Sequence, residues 1–226
     1  MSGVRQKITA LGRCVRTFLL DTVYPENALC RACGTAVKTG CLCDACRERL
    51  RNDGAAFSWI PRQLDGVSAY ALRRHEGLPR ALVIRLKHHA EACVAAELAA
   101  LVRPVPAFLS FPENTVVTWV TMPRSRRRER CIDHGQCLAA AVARELGLDC
   151  AQLLLRTDSR GKTQASLNRE KRERNLERVF APAGPIRRPV LLVDDVMTTG
   201  TTARRCIAAL REGGATDITV LTVTCP

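Results

Sequence analysis

The sequence predicts an α/β fold, a parallel sheet with helices on its faces, with a small cysteine-rich module ahead of it. Three observations predict this. Near the carboxyl end, Val190 to Val193 reads as a buried strand, Thr201 to Arg211 as a helix stopped at Gly213-Gly214, and Ile218 to Val223 as a second strand, which together make a βαβ unit. Strand and helix patterns alternate through the second half of the chain, as in a parallel sheet covered on both faces. Ahead of that half, five of the 12 cysteines crowd between Cys30 and Cys46. At 226 residues, 46% hydrophobic and 25% charged, the chain has the side chains for a sizeable core and the length for one main domain plus a small module, which excludes a wholly disordered chain.

The elements follow in order. Ile8, Leu11, Val15 and Leu19 recur at helical spacing, so residues 1–28 are expected to carry an amphipathic helix. Arg5, Lys7, Arg13 and Arg16 interrupt its apolar stripe too often for a secretory signal. Residues 29–54 form the cysteine module, closed by Asn52, Asp53 and Gly54, and residues 55–226 the main domain. Within it, Ala81 to His88 and Ala92 to Val102 read as helices stopped by Pro104 and Pro106. Thr115 to Thr121 is a β-branched run read as a strand, Gln136 to Leu146 a helix ended by Gly147, and Leu153 to Arg156 a short strand. Residues 157–178 are nearly all polar and charged and read as a loop or an exposed helix. No run of ~18 apolar residues occurs, so no membrane insertion is expected. With the thiols read as metal ligands and buried groups rather than a disulfide scaffold, the expected location is the cytoplasm.

Two motifs carry chemistry. Cys30-x-x-Cys33 and Cys43-x-x-Cys46 are paired knuckles with Gly34 at the first turn, the spacing at which four thiolates close a tetrahedron around a structural Zn²⁺. Such a site has no open position, so the zinc is expected to staple the module rather than to catalyse, and Cys41 is the spare thiol. The second motif is Val190 to Thr202, where Asp194 and Asp195 stand at the carboxyl end of a buried strand and Met197, Thr198, Thr199, Gly200, Thr201 and Thr202 form a turn that opens a helix. Helix-terminal N–H groups, a glycine and threonine hydroxyls cradle a phosphate. The absence of a lysine after the glycine excludes a nucleotide P-loop, and no G-x-G-x-x-G supports a dinucleotide site. Carboxylates beside such a cradle accept from sugar hydroxyls or hold Mg²⁺, and a ribose phosphate satisfies both halves of the motif.

This second motif resembles the phosphoribosyl pyrophosphate (PRPP) signature of type I phosphoribosyltransferases. With the four cysteines, Leu86-Lys87, the segment from Pro123 to Gln136, and Gln164, Leu167, Arg172, Asn175-Leu176 and Phe180, the chain resembles the competence-associated ComF/GntX family almost end to end. That resemblance implies a zinc-ribbon-like module before a type I phosphoribosyltransferase-like domain. It implies Asp194 and Asp195 at the ribose hydroxyls and residues 197–202 at the 5′-phosphate. It further implies Pro123, Arg124 and Ser125 at pyrophosphate, a closing loop with Lys162, Gln164 and Arg172, and Lys87 at the site. The chain departs from the family's Arg-Gly-Phe-Asn-Gln, carrying Arg130-Cys131-Ile132-Asp133-His134, four differences in five positions. Cys131 stands where a glycine allows positive φ, and His134 replaces an amide by a titratable ring.

The formal net charge of +13 favours anionic partners. Residues 121–130 and 156–178 each carry a net +4, more than pyrophosphate needs, which suits a longer polyanion such as single-stranded DNA. No aromatic lies in either segment, so base stacking has few candidates there and such binding would be mostly electrostatic. A solvated charged face explains the same charge. His75, His88 and His89 sit at no metal-ligand spacing and receive no role. Two functions stay open. One is a PRPP-binding protein of ComF type, linked to competence and DNA uptake, that transfers a phosphoribosyl group to an unknown acceptor with release of pyrophosphate. The other is a non-catalytic adaptor on the same fold that binds single-stranded DNA and competence-machinery proteins.

Overall fold

A computed structural model describes residues 29–52, 60–123, 132–156 and 179–226. The amino-terminal amphipathic helix, the segment from Arg124 to Cys131 and the segment 157–178 lie outside the described residues, and so do the expectations for Arg124, Ser125, Cys131, Lys162, Gln164 and Arg172.

The first described element is helix α1, Asp44–Asn52, which begins inside the second cysteine knuckle. Strands β1, Ile60–Leu64, and β2, Val67–Arg74, follow as an antiparallel hairpin joined by Asp65-Gly66. Both turn residues have positive φ, +53° and +77°, the geometry of a type I′ turn. Helices α2, Gly77–His88, and α3, Cys93–Ala99, come next, then short 3-10 turns at Ala100–Val102 and Val105–Ala107. The chain continues through β3, Val116–Trp119, α4, His134–Leu146, and β4, Asp149–Cys150. Strands β5, Leu154–Arg156, and β6, Phe180–Pro182, pair with each other. Last come β7, Val190–Val196, α5, Thr201–Glu212, and β8, Ile218–Cys225.

The main sheet has the order β1-β2-β8-β7-β3-β4, parallel throughout except for the edge strand β1. The α/β class with a mostly parallel sheet stands as expected. Several boundaries differ. The β3 strand is shorter than the β-branched run, β7 extends through both aspartates, and α2 starts four residues before Ala81. The short strand at Leu154–Arg156 does not join the main sheet but forms a separate two-stranded one with β6. The β1–β2 hairpin was not anticipated, and β2 pairs with β8 inside the sheet.

Strand β7 reads Val-Leu-Leu-Val because it is central and parallel and is covered on both faces. Leu191 and Val193 join one apolar cluster with α2, α3, α4 and the cysteine module, while Val190 and Leu192 join another with α5, β5 and β6. On the second face Ile207 and Leu210 of α5 are 1% and 0% exposed, each burial stabilising by roughly 1.5–3 kcal/mol. Cys30, Cys41, Leu42, Cys46 and Leu50 belong to the first cluster, so the cysteine module packs directly on α2 and α3. Among the described residues no helix is long and apolar enough to cross a membrane.

Candidate functional site

The carboxyl ends of parallel strands are where an open α/β sheet leaves a crevice, and β7, β3, β8 and β2 all end there. Strand alternation alone would send the adjacent aspartates of β7 to opposite sides of the sheet, but at the end of the strand their carboxyls lie close enough to interact directly. Asp194 follows the parity of Val190 and Leu192, toward α5, where its charge reaches the buried thiol of Cys206. Asp195 follows Leu191 and Val193, toward α2 and α4. Asp194 is half-buried, and its Oδ1 accepts from the Asp195 backbone N–H at 2.9 Å. Burial first, then the Asp195 charge, pushes the Asp194 carboxyl up to about 8, against the pull of that N–H and of Lys87.

Asp195 is 4% exposed and is held from two helices. Lys87, in the last turn of α2, places Nζ 2.8 Å from Oδ1, and His134, at the first position of α4, places Nε2 3.4 Å from Oδ2. That Oδ2 has no hydrogen bond of normal length. Lys87, expected at the site from the resemblance, therefore pairs with a buried carboxylate. His134 owes its place to Asp133, whose Oδ1 accepts from the Gln136 N–H at 3.2 Å as an N-cap. Gly135 lets α4 sit tightly on β3, since a Cβ there would lie 3.2 Å from both Trp119 and the Val120 carbonyl. Asp133 and His134 thus cap the helix and meet Asp195, respectively.

His75, which the sequence left without a role, lies just past β2 with Nδ1 2.8 Å from the Thr224 hydroxyl, and that hydroxyl donates to the Asp195 carbonyl at 3.3 Å. Burial, then Arg80 and Lys87, lower its pKa, while Asp195 pulls the other way, so His75 borders the same cluster. Its position at the end of an inner parallel strand was the available signal, and it required finding β2 first. His88 and His89 are exposed.

After β7 the chain turns through Met197, which is buried and donates to the Thr224 carbonyl at 3.0 Å. Thr198 and Thr199 are exposed, as are Thr201 and Thr202 in the first turn of α5. Gly200 caps α5 at φ +76°, and an added Cβ would lie 2.7 Å from Leu64 Cδ2, so this position needs glycine twice over. Arg62 of β1 braces the turn, donating to the Thr198 carbonyl at 3.1 Å, and the Thr199 and Thr201 hydroxyls lie 2.9 Å apart. The first N–H groups of α5 have no partner inside the helix, though the Thr201 N–H meets the Thr199 hydroxyl at 3.4 Å, and they carry the helix's positive dipole end beside the two carboxyls of β7. Met122 and Pro123 lead out of β3 toward the same edge.

The four knuckle cysteines form the second site. Cys30, Cys33, Cys43 and Cys46 bring their Sγ atoms within 4.8 Å of one another, with Cys33 and Cys43 3.7 Å apart. Turns at Gly34 and Gly40, both at positive φ, fold the segment back, and Arg31 N donates to the Cys41 carbonyl. Contact with the Thr35 hydroxyl and then the Thr35 backbone pulls the Cys33 thiol down to about 6. Four convergent sulfurs, the donor set of a closed tetrahedral site, fit a structural metal such as zinc. Cys41 stays outside the cluster, 1% exposed, its pKa raised by its hydrogen bond to Cys93 and by burial.

No protein-family model matches the chain, and no curated protein matches it. Among solved structures it is similar to an orotate phosphoribosyltransferase from Aeropyrum pernix, at 21% identity and TM-score 0.37 over 79% of this chain and 80% of that one. It is also similar to an adenine phosphoribosyl transferase from Trypanosoma brucei, at 12% identity and TM-score 0.40 over 75% of this chain and 86% of that one. A glutamine PRPP amidotransferase from B. subtilis aligns at 19% identity and TM-score 0.43 over 62% of this chain, which spans 30% of that enzyme's length. For another match, an allosteric regulatory enzyme of purine biosynthesis, the chain spans 26% of the length. The α/β assignment rests on the strand order and on the helices covering both faces.

Proposed function

We propose that the protein binds PRPP or a related ribose phosphate at the carboxyl edge of its sheet, as a phosphoribosyltransferase-family protein of ComF type linked to competence and DNA uptake. The observation that carries the reading is the pairing of two carboxylates at the end of β7 with a glycine-centred anion cradle at the start of α5. Backbone N–H groups and hydroxyls of residues 198–202 hold the 5′-phosphate, with buried Met197, whose N–H is given to Thr224, shaping the turn beneath them, and Asp194 and Asp195 accept from the ribose hydroxyls. The Asp195 carboxylate, and Asp194 once it gives up its proton, are hard oxygen donors suited to Mg²⁺, which would supply charge neutralisation for a leaving pyrophosphate. Lys87 counters the negative charge of the pair, and Pro123, Arg124 and Ser125, with Lys162, Gln164 and Arg172, serve the pyrophosphate end. If an acceptor attacks the anomeric carbon, the C–O bond to pyrophosphate breaks as the new bond forms, and pyrophosphate leaves with the bonding electrons. The competence link rests on the sequence resemblance.

The net charge of +13 favours a second reading, a non-catalytic adaptor for single-stranded DNA on the same fold. Calorimetric titration of the zinc-loaded chain with PRPP, with and without Mg²⁺, tests the first. Saturable Mg²⁺-assisted binding, lost in the Asp194→Asn/Asp195→Asn variant, is expected. No binding to folded protein, alongside DNA affinity that falls steeply with salt, would favour the adaptor.

A further inference from the structure

We propose that the four-cysteine module sets the position of Lys87, so that metal at the cysteines and a ribose phosphate at the β7–α5 loop bind cooperatively. The second half rests on the ribose-phosphate reading above; the first half does not.

Two kinds of contact join the module to α2. The apolar one is the shared cluster in which Cys30, Cys41, Leu42, Cys46 and Leu50 pack with Leu82, Val83 and Leu86. The ionic one is a strap through Glu91, in the turn after α2. Its Oε1 accepts from Arg85 of α2 at 2.9 Å, and its Oε2 lies 3.7 Å from Nε of Arg31, the residue after Cys30, an ion pair just beyond hydrogen-bond length. Glu91 is enclosed, with 13% of its side chain exposed, so solvent screens this strap less than a surface pair. The preceding residue, Ala90, holds φ +56°, an uncommon conformation for alanine that turns Glu91 back toward the module. A second anchor fixes α3 in the same way. Arg47, next to Cys46, donates to Glu97 through Nε and one terminal nitrogen at 3.0 to 3.1 Å.

Lys87 lies two residues beyond Arg85 and next to Leu86, which is 0% exposed. The register of this last helical turn, held from below by the module, decides whether Nζ reaches Asp195. Metal closes the first knuckle and fixes Arg31, and Arg31 fixes Glu91. Without metal the knuckle has no common centre, and the strap loses its anchor. Asp194 and Asp195 then meet an incoming polyanion without the cation that offsets them, so the phosphate ligand binds more weakly. By linkage, the ligand tightens the metal by the same factor.

The test uses the full chain, zinc-loaded or chelator-stripped under reducing conditions, with two readouts. The first is the trace acetylation rate of the Lys87 amine by mass spectrometry, normalised to the rate in the fully denatured chain, and it needs no ligand. The second is the calorimetric Kd for PRPP with Mg²⁺. Glu91→Gln is expected to keep its zinc, to acetylate Lys87 about tenfold faster and to bind PRPP about tenfold more weakly, within the usual range of couplings between sites. Stripping the wild type should move both readouts the same way, and Glu91→Asp should restore part of each. If stripping or Glu91→Gln unfolds the chain by circular dichroism, Arg31→Met with zinc content measured takes its place. Unchanged Lys87 acetylation in a folded Glu91→Gln chain would overturn the proposal, and so would an unchanged Kd in a chain that binds PRPP. Faster Lys87 acetylation in a zinc-loaded chain that never binds PRPP would sink the ribose-phosphate reading and leave the link from module to Lys87 standing.

Discussion

The cysteine module and the β7–α5 loop both hold charge in place, and they are built in opposite ways. The module gathers its four sulfurs from residues 30 to 46, with turns at Gly34 and Gly40 doing the folding. Around the loop, Asp195 is met by Lys87 from α2 and His134 from α4, His75 comes from β2, and Arg62 from β1 braces the turn. A local site depends on its ligand; a dispersed one depends on the core that aligns six elements. The first should therefore fail by losing its metal and the second by losing packing or charge balance.

The largest expected effect breaks the local site. Cys30→Ser should abolish tight zinc binding and forfeit several kcal/mol, a share of the roughly 10–16 kcal/mol that structural Zn²⁺ contributes in small modules. Metal content and urea midpoint check it. Next is Lys87→Met, which leaves the buried Asp195 carboxylate without its closest cation and should cost about 3 kcal/mol, read as a lower urea midpoint at constant slope. Zinc content should not change, which separates the two regions. Gly200→Ala follows. Its left-handed backbone and the approach to Leu64 should cost about 1–2 kcal/mol and weaken ribose-phosphate binding more than it lowers stability.

The pH dependence sharpens the contrast within the loop site. The Asp194 carboxyl is raised from its usual range near 3.8 to about 8, so the folded chain keeps a proton that the unfolded chain releases. Bound protons are then fewer in the unfolded state, and in Mg²⁺-free buffer this group lowers stability progressively as pH rises from about 4 to about 8, with no further change above. Asp194→Asn should remove that slope, as measured by urea midpoints across the window. The smallest effect is Ala90→Gly, which relieves φ +56° and should add about 0.5 kcal/mol.

What the sequence made legible follows the same division. The knuckles, the βαβ unit and the acidic-threonine loop are contiguous, and spacing alone located them. Asp65-Gly66 between two alternating runs is the short-range signal of a tight hairpin, but Pro61 and the two arginines that end β2 blur the strand pattern on either side of it. Without β2, His75 could not be placed at a strand end. Lys87 stood out only by resemblance, because helical periodicity says which face a residue shares and not which strand it meets. His134 stood out as a departure, but its contact with Asp195 depends on Asp133 capping α4 and on Gly135 lying flat against Trp119, a matter of packing across the fold.

The β7–α5 loop, through residues 198–202, is proposed to cradle the phosphate of a ribose phosphate. Backbone amide resonances of the zinc-loaded chain, followed while ribose 5-phosphate is added, test this most directly. The account predicts saturable shifts concentrated at Thr199, Gly200, Thr201 and Thr202, larger than those from inorganic phosphate at equal concentration and absent in Gly200→Ala. Unmoved loop amides, with shifts confined to basic residues elsewhere or equal for both ligands, would contradict it.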